Sequence, residues 1–362
     1  MKLSADSGLW STGPVAEPMP VVAVLEVSGA VLSWAIDDDA EAASFAFTDL
    51  ARADWLWRVF GEDGHSAVAA AVRDQLAADE QTVDVAGVGV VPGSVDRLRR
   101  LALGHWMRRW WPASHRDGIA ALGAALLDAE IALLTAAAQD FFPDDTFDSD
   151  VAELLTPHEA ALNALVRTGD PRVVELVQAA VELTDEVGIA LAEPVSSAPR
   201  RDDYALAAGT LAQRSGEAIA GGTASLAWAA VPPAVFDAAE NTIEWRVDAV
   251  DSLVNATVSV ELLGPNAPDG IAVRLRAQGV RGAGALARDG RASFPLLDEQ
   301  QRPISETAAW NHDWRAATVT VGADVEESAE TRDRVRAFAR ARLAEPPSDA
   351  FLAEILAAES DY

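Results

Sequence analysis

A chain of 362 residues with 57 acids against 28 bases repels nucleic acid and anionic membrane over most of its surface, so neither is expected as a partner. Half of its residues are hydrophobic, enough for an ordinary globular core. It has no cysteine, which excludes thiol catalysis, disulfide staples and cysteine-based metal centres. No apolar run reaches the ~18 residues of a membrane span, and the first residues lack a signal peptide's apolar core, so a cytoplasmic location is expected. Lys2 is the one lysine; every other base is arginine, and alanine is abundant, which suggests a GC-rich bacterial genome.

Residues 1–20 are rich in Gly, Pro and Ser without periodicity and read as a loose arm. Val21–Ile36 reads as two strands joined at Ser28-Gly29, followed by an acidic turn at Asp37–Asp39 and a third strand over Ser44–Thr48. Helical stretches over Leu50–Phe60 and Ser66–Ala78, then alternation over Thr82–Val91, complete a small α/β unit spanning 21–93. Gly87, Gly89 and Gly93 lie between strand and helix. Pro92 interrupts the dinucleotide fingerprint and no P-loop lysine follows, so a plain turn is expected there.

A helical bundle is expected over 94–221. Ser94 is read as the N-cap of a helix that Pro112 ends, and Ile119, Leu122, Leu126, Ala129 and Leu133 form the seam of the next. Thr156-Pro-His-Glu159 has the form of a capping box, and Asp170-Pro171 opens a helix carrying Val173, Val177 and Val181. Glu193–Arg201 reads as a linker and Asp203–Ile219 as a further helix. From 222 to 325 the period changes to two, in some seven short strands with an Asp289-Gly290 turn. This predicts an antiparallel, immunoglobulin-like β-sandwich. Two helices, over Glu326–Leu343 and Ser348–Ala358, fill 326–362. The fold class expected is α+β, multidomain.

Residues 97–116 carry six arginines and no acid, whereas 117–199 carry sixteen acids and two bases. On the helix within that basic stretch, His105 and Arg109 continue the face of Leu98, Leu101 and Ala102, where polar groups need partners. One reading is an anion pocket in which His105 and Arg109, with His115 and Arg116, hold a phosphate or carboxylate. The other is a basic helix packed on the acidic bundle through Arg–carboxylate pairs, with cations over Trp106, Trp110 and Trp111.

Trp310, His312 and Trp314 offer contact material in a late loop, or equally a plug for the sandwich. His158-Glu159 lacks the second histidine of a zinc helix, and Asp144, Asp145, Asp148 and Asp150 lack EF-hand spacing, so no metal and no cofactor is expected. No Gly-x-Ser-x-Gly elbow accompanies His312-Asp313. The sequence therefore points to a non-catalytic adaptor or accessory subunit acting through a protein partner. The alternative is an enzyme or binding protein holding an anionic small molecule between the Arg/Trp helix and the bundle.

Overall fold

The computed structural model describes residues 1–6, 9–12, 19–37, 43–78, 82–139, 141–142, 147–188, 218–250, 253–264 and 266–360. The expected linker Glu193–Arg201, most of the expected helix Asp203–Ile219, and Asp144 and Asp145 lie outside the described residues. The chain divides into two compact units. The first takes Met1–Trp111, Leu122–Pro194 and Glu330–Tyr362; the second takes Pro112–Ala121 and Val195–Ala329. Helices and antiparallel sheets are mixed, and no helix among the described residues is long and apolar enough to cross a membrane.

The first unit begins with strands β1 (Lys2–Asp6) and β2 (Leu9–Thr12), where a loose arm was expected. They pair with each other, but their outer partners, β5 and β6, are distant in sequence, and local composition does not announce those. β3 (Val22–Val27) and β4 (Ala30–Ala35) form the expected hairpin about Ser28-Gly29. Gly29 has φ +75°, and a Cβ there would stand 2.2 Å from the Asp49 carbonyl, so only glycine serves this turn. β5 (Ser44–Phe47) follows, then α1 (Trp57–Ala78), which loses helical geometry at Gly61, and β6 (Thr82–Asp84).

The six strands make one sheet in the order β3-β4-β5-β2-β1-β6, every pair antiparallel. Residues 85–91 do not extend β6. Gly87 belongs to a turn at positive φ, and Gly89 follows it in irregular chain.

α2 (Asp96–Trp110) packs on β3 with Leu98, Leu101, Ala102, Trp106 and Met107 buried. Ser94 does not cap it; the residue before the helix is Val95, without a side-chain cap. α3 (Ala124–Ala138) starts five residues later than its apolar seam suggests, because Ile119 is paired with Ser114 in the second unit.

α4 (Phe147–Leu155) has Asp148 and Asp150 in its first turn, and the chain then makes a 3-10 turn over Thr156–His158. α5 (Glu159–Val166) therefore follows His158, without a side-chain cap, rather than a Thr156 capping box. α6 (Pro171–Val187) has the expected Asp170 cap, whose carboxylate accepts from the Arg172 N–H. α3 touches α2, α4, α5 and α6, so its apolar sides form the centre of this unit.

Among the described residues, the second unit holds seven strands: β7 (Ala220–Ala224), β8 (Ile243–Val250), β9 (Leu253–Val260), β10 (Ala272–Ala277), β11 (Val280–Ala285), β12 (Arg291–Pro295) and β13 (Thr318–Val321). They form two antiparallel sheets, β12-β9-β8-β7 and β11-β10-β13. Among the described strands the second, β8, pairs with the third, β9, whereas in the immunoglobulin order the second pairs with the fifth. Alternate residues Ile243, Trp245 and Val247 of β8 are buried while Glu244 and Arg246 are exposed, as a one-sided sheet requires. The short helix α7 (Glu306–Trp310) precedes β13. α8 (Ala329–Ala344) and α9 (Leu352–Ser360) then belong to the first unit, where α9 packs against α3.

Candidate functional site

The basic helix α2 meets carboxylates within its own unit. Arg100 donates to Glu130 at 2.9 Å, and Arg108 to Asp128 at 3.1 Å. Asp128 is buried and also bonds His158 Nε2 at 2.8 Å. Glu130 takes the Leu352 N–H at 2.6 Å. Burial pushes its carboxyl up despite that bond and Arg100. His105 lies half-buried beside this cluster. Desolvation, and then the positive charge of Arg108, hold its pKa below the ordinary histidine value. Arg109 lies over the Trp110 ring at 4.2 Å. Trp106 meets Phe338 of α8 edge-on at 5.3 Å.

His115 and Arg116 lie in the second unit, so the four residues proposed for an anion are divided between units. There Asp237 gathers the segment Pro112–Ala121. Its carboxylate accepts from Ser114 Oγ at 2.6 Å, the His115 N–H at 2.7 Å, the Arg116 N–H at 3.4 Å and the Ala239 N–H at 2.9 Å. Burial opposes the charge, but these four donors outweigh it and hold the Asp237 carboxyl below its ordinary value. His115 Nε2 is 2.9 Å from the Leu263 carbonyl, and Arg116 pairs with Glu261 at 3.2 Å.

The aromatic loop divides in a similar way. Trp310 is 48% exposed, with its Nε1 3.4 Å from Glu306 Oε1. Trp314 turns inward, donating to the Ala309 carbonyl at 2.9 Å, with the His312 ring edge-on to it at 4.6 Å.

Sequence reasoning did not single out a groove of about 730 Å³ in the first unit, between the end of β4, the start of α2 and the outer face of α8. This volume is in the usual range for a binding site. Ile36, Ala337, Phe338, Ala341 and Pro347 give it an apolar floor, and Arg–carboxylate pairs brace its rim. Arg334 forks onto Asp37 at 2.7 and 2.9 Å, holding the Asp37 carboxyl below its ordinary value. Arg99 and Arg342 share Asp349 at 3.0 and 3.1 Å. Arg342 is further fixed from behind by the fully buried Glu354, at 2.5 and 2.8 Å. The signal was present in α8, where Arg334, Phe338 and Arg342 recur every four residues and so share one face. Their partners Asp37 and Asp349 come from a strand end and an interhelical loop, which periodicity does not connect.

Among the described residues, no three His, Asp or Glu side chains come together to hold a metal ion. No family model, curated protein or solved structure matches the chain.

Proposed function

We propose that the chain is a non-catalytic adaptor or accessory subunit, combining a helical bundle with a β-sandwich, whose contact site is the groove along α8. The observation that carries this reading is the groove itself. It has an apolar floor and a rim of arginines held in place by Asp37, Asp349 and Glu354, a surface arranged before any partner arrives. Trp310, exposed in the other unit, supplies an aromatic anchor of the kind that dominates contact energies.

Ala337 and Ala341 line the groove and are themselves exposed, so bulk added there fills it without disturbing the core. In the cell of origin, the tagged wild type is expected to retain a partner that the Ala337→Trp/Ala341→Trp variant loses at an unchanged melting temperature. If no co-purifying protein depends on the groove, the adaptor reading fails.

A second reading takes the groove as a pocket for an anionic small molecule, favoured by the roughly one-third exposure of Arg99 and Arg334. On this reading the molecule would lie against the groove's arginines rather than beside His105 and Arg109. A thermal-shift screen of phosphates, nucleotides and carboxylates separates the two readings, since a ligand bound only to the folded state raises the melting temperature.

A further inference from the structure

We infer that the groove along α8 receives a basic amphipathic segment of a partner protein, its apolar side against Phe338 and its cations against Asp96 and Glu345. This rests on the groove being the contact site. The charges on its lining decide the sign of the occupant. Asp37 is taken by Arg334 at 2.7 Å, and Asp349 by Arg99 and Arg342 at 3.0 and 3.1 Å. Asp96 and Glu345 are exposed and have no ion-pair partner among the described residues.

Asp96 stands in the first turn of α2, where the helix dipole favours a carboxylate. Glu345 stands just past the end of α8, where the dipole disfavours one, and an incoming cation relieves that arrangement. An acidic occupant meets two unneutralised carboxylates and only arginines that already have partners. A small cation leaves Phe338, Ala341 and Pro347 uncovered. A segment with one apolar and one cationic side satisfies both, and the net charge of −29 speeds its approach. From Arg334 to Glu345 the helix offers a face of roughly 16 Å, which matches about three turns of a helical occupant.

The test uses the full chain and a fluorescein-labelled 14-residue Leu/Lys amphipathic peptide, followed by anisotropy at physiological salt. Saturable one-to-one binding is expected. Asp96→Asn/Glu345→Gln should weaken it about tenfold, as two exposed charge pairs near the upper end of their range imply, and Ala341→Trp should weaken it at least as much. Glu62→Gln/Asp63→Asn makes the same change of charge on α1 and should leave it unaltered.

If the α1 variant weakens binding as much as the groove variant, the peptide is responding to the general negative field and the inference is overturned. Equal binding of a Leu/Glu peptide of the same length overturns it too. Should the peptide fail while Ala337→Trp/Ala341→Trp still loses a co-purified partner, the sign of the occupant is wrong and the contact site stands.

Discussion

At Asp237 a single carboxylate organises a length of chain that has no regular structure of its own. Four donors converge on it, three of them from Ser114, His115 and Arg116. Because its folded pKa lies below the ordinary 3.8, its contribution to stability is fully present above about pH 4 and is lost as the pH falls through the lowered value. Asp237→Asn keeps the shape but offers one acceptor oxygen and brings two donors among donors. It is expected to cost about 2–3 kcal/mol at pH 7 and to flatten the acid limb of stability below pH 4. Urea unfolding at several pH values measures both, and an unchanged acid limb would sink the assignment. Nothing in the run Pro112–Ala121 announces this role. His115 and Arg116 were legible as unusual, but Asp237 lies in a distant loop and sequence offers no means of pairing them. His105 and Arg109 were legible as polar groups on an apolar stripe, and local packing accounts for Arg109. A half-buried helix flank lets a long side chain lie over a ring such as Trp110, so a charge on the apolar stripe need not define a pocket.

At the scale of elements, α2 and α3 approach closely because Gly104 lacks a side chain. A Cβ there would sit 2.7 Å from Ile131 Cγ1 and 2.9 Å from Phe351 Cζ, so this one position accommodates both α3 and the residue that leads into α9. Gly104→Ala gains up to about 1 kcal/mol of helix propensity but overpacks a tight junction, at about 1–3 kcal/mol. Net destabilisation is expected, and Gly104→Ala/Ile131→Ala should be less unstable than the two single changes summed, since the two sites share the contact. Additive chemical denaturation would show that the glycine is not there for close approach. The longer helices and most strands from 220 onward were legible because period and turn residues are local properties, whereas the short α7 was read as loop. β1 and β2 were not legible. They hold their place through Leu3, Trp10 and Thr12, buried by pairing with β5 and β6, and the composition of the first twenty residues resembles that of a tail.

For the molecule as a whole, a net charge of −29 means that carboxylates repel one another across both units. Exposed ion pairs, worth about 0–1 kcal/mol each, do not offset that self-repulsion, which salt screens over a Debye length of about 10 Å at 0.1 M. The melting temperature is therefore expected to rise between low salt and 0.5 M sodium chloride. A fall would mean that the Arg–carboxylate pairs around α2 and α8 outweigh the excess charge. The order in which the chain supplies its parts has a separate consequence. Gly104 and Ile131 are made early, but Phe351, which packs against Gly104, and Leu352, whose N–H satisfies Glu130, come from the last stretch of the first unit. At roughly 5–20 residues per second on the ribosome, the face they close stands open for on the order of 10–40 s. A nascent chain of this protein therefore displays a bare apolar junction, with Glu130 still lacking the Leu352 N–H, to any holding chaperone until Phe351 and Leu352 have been made.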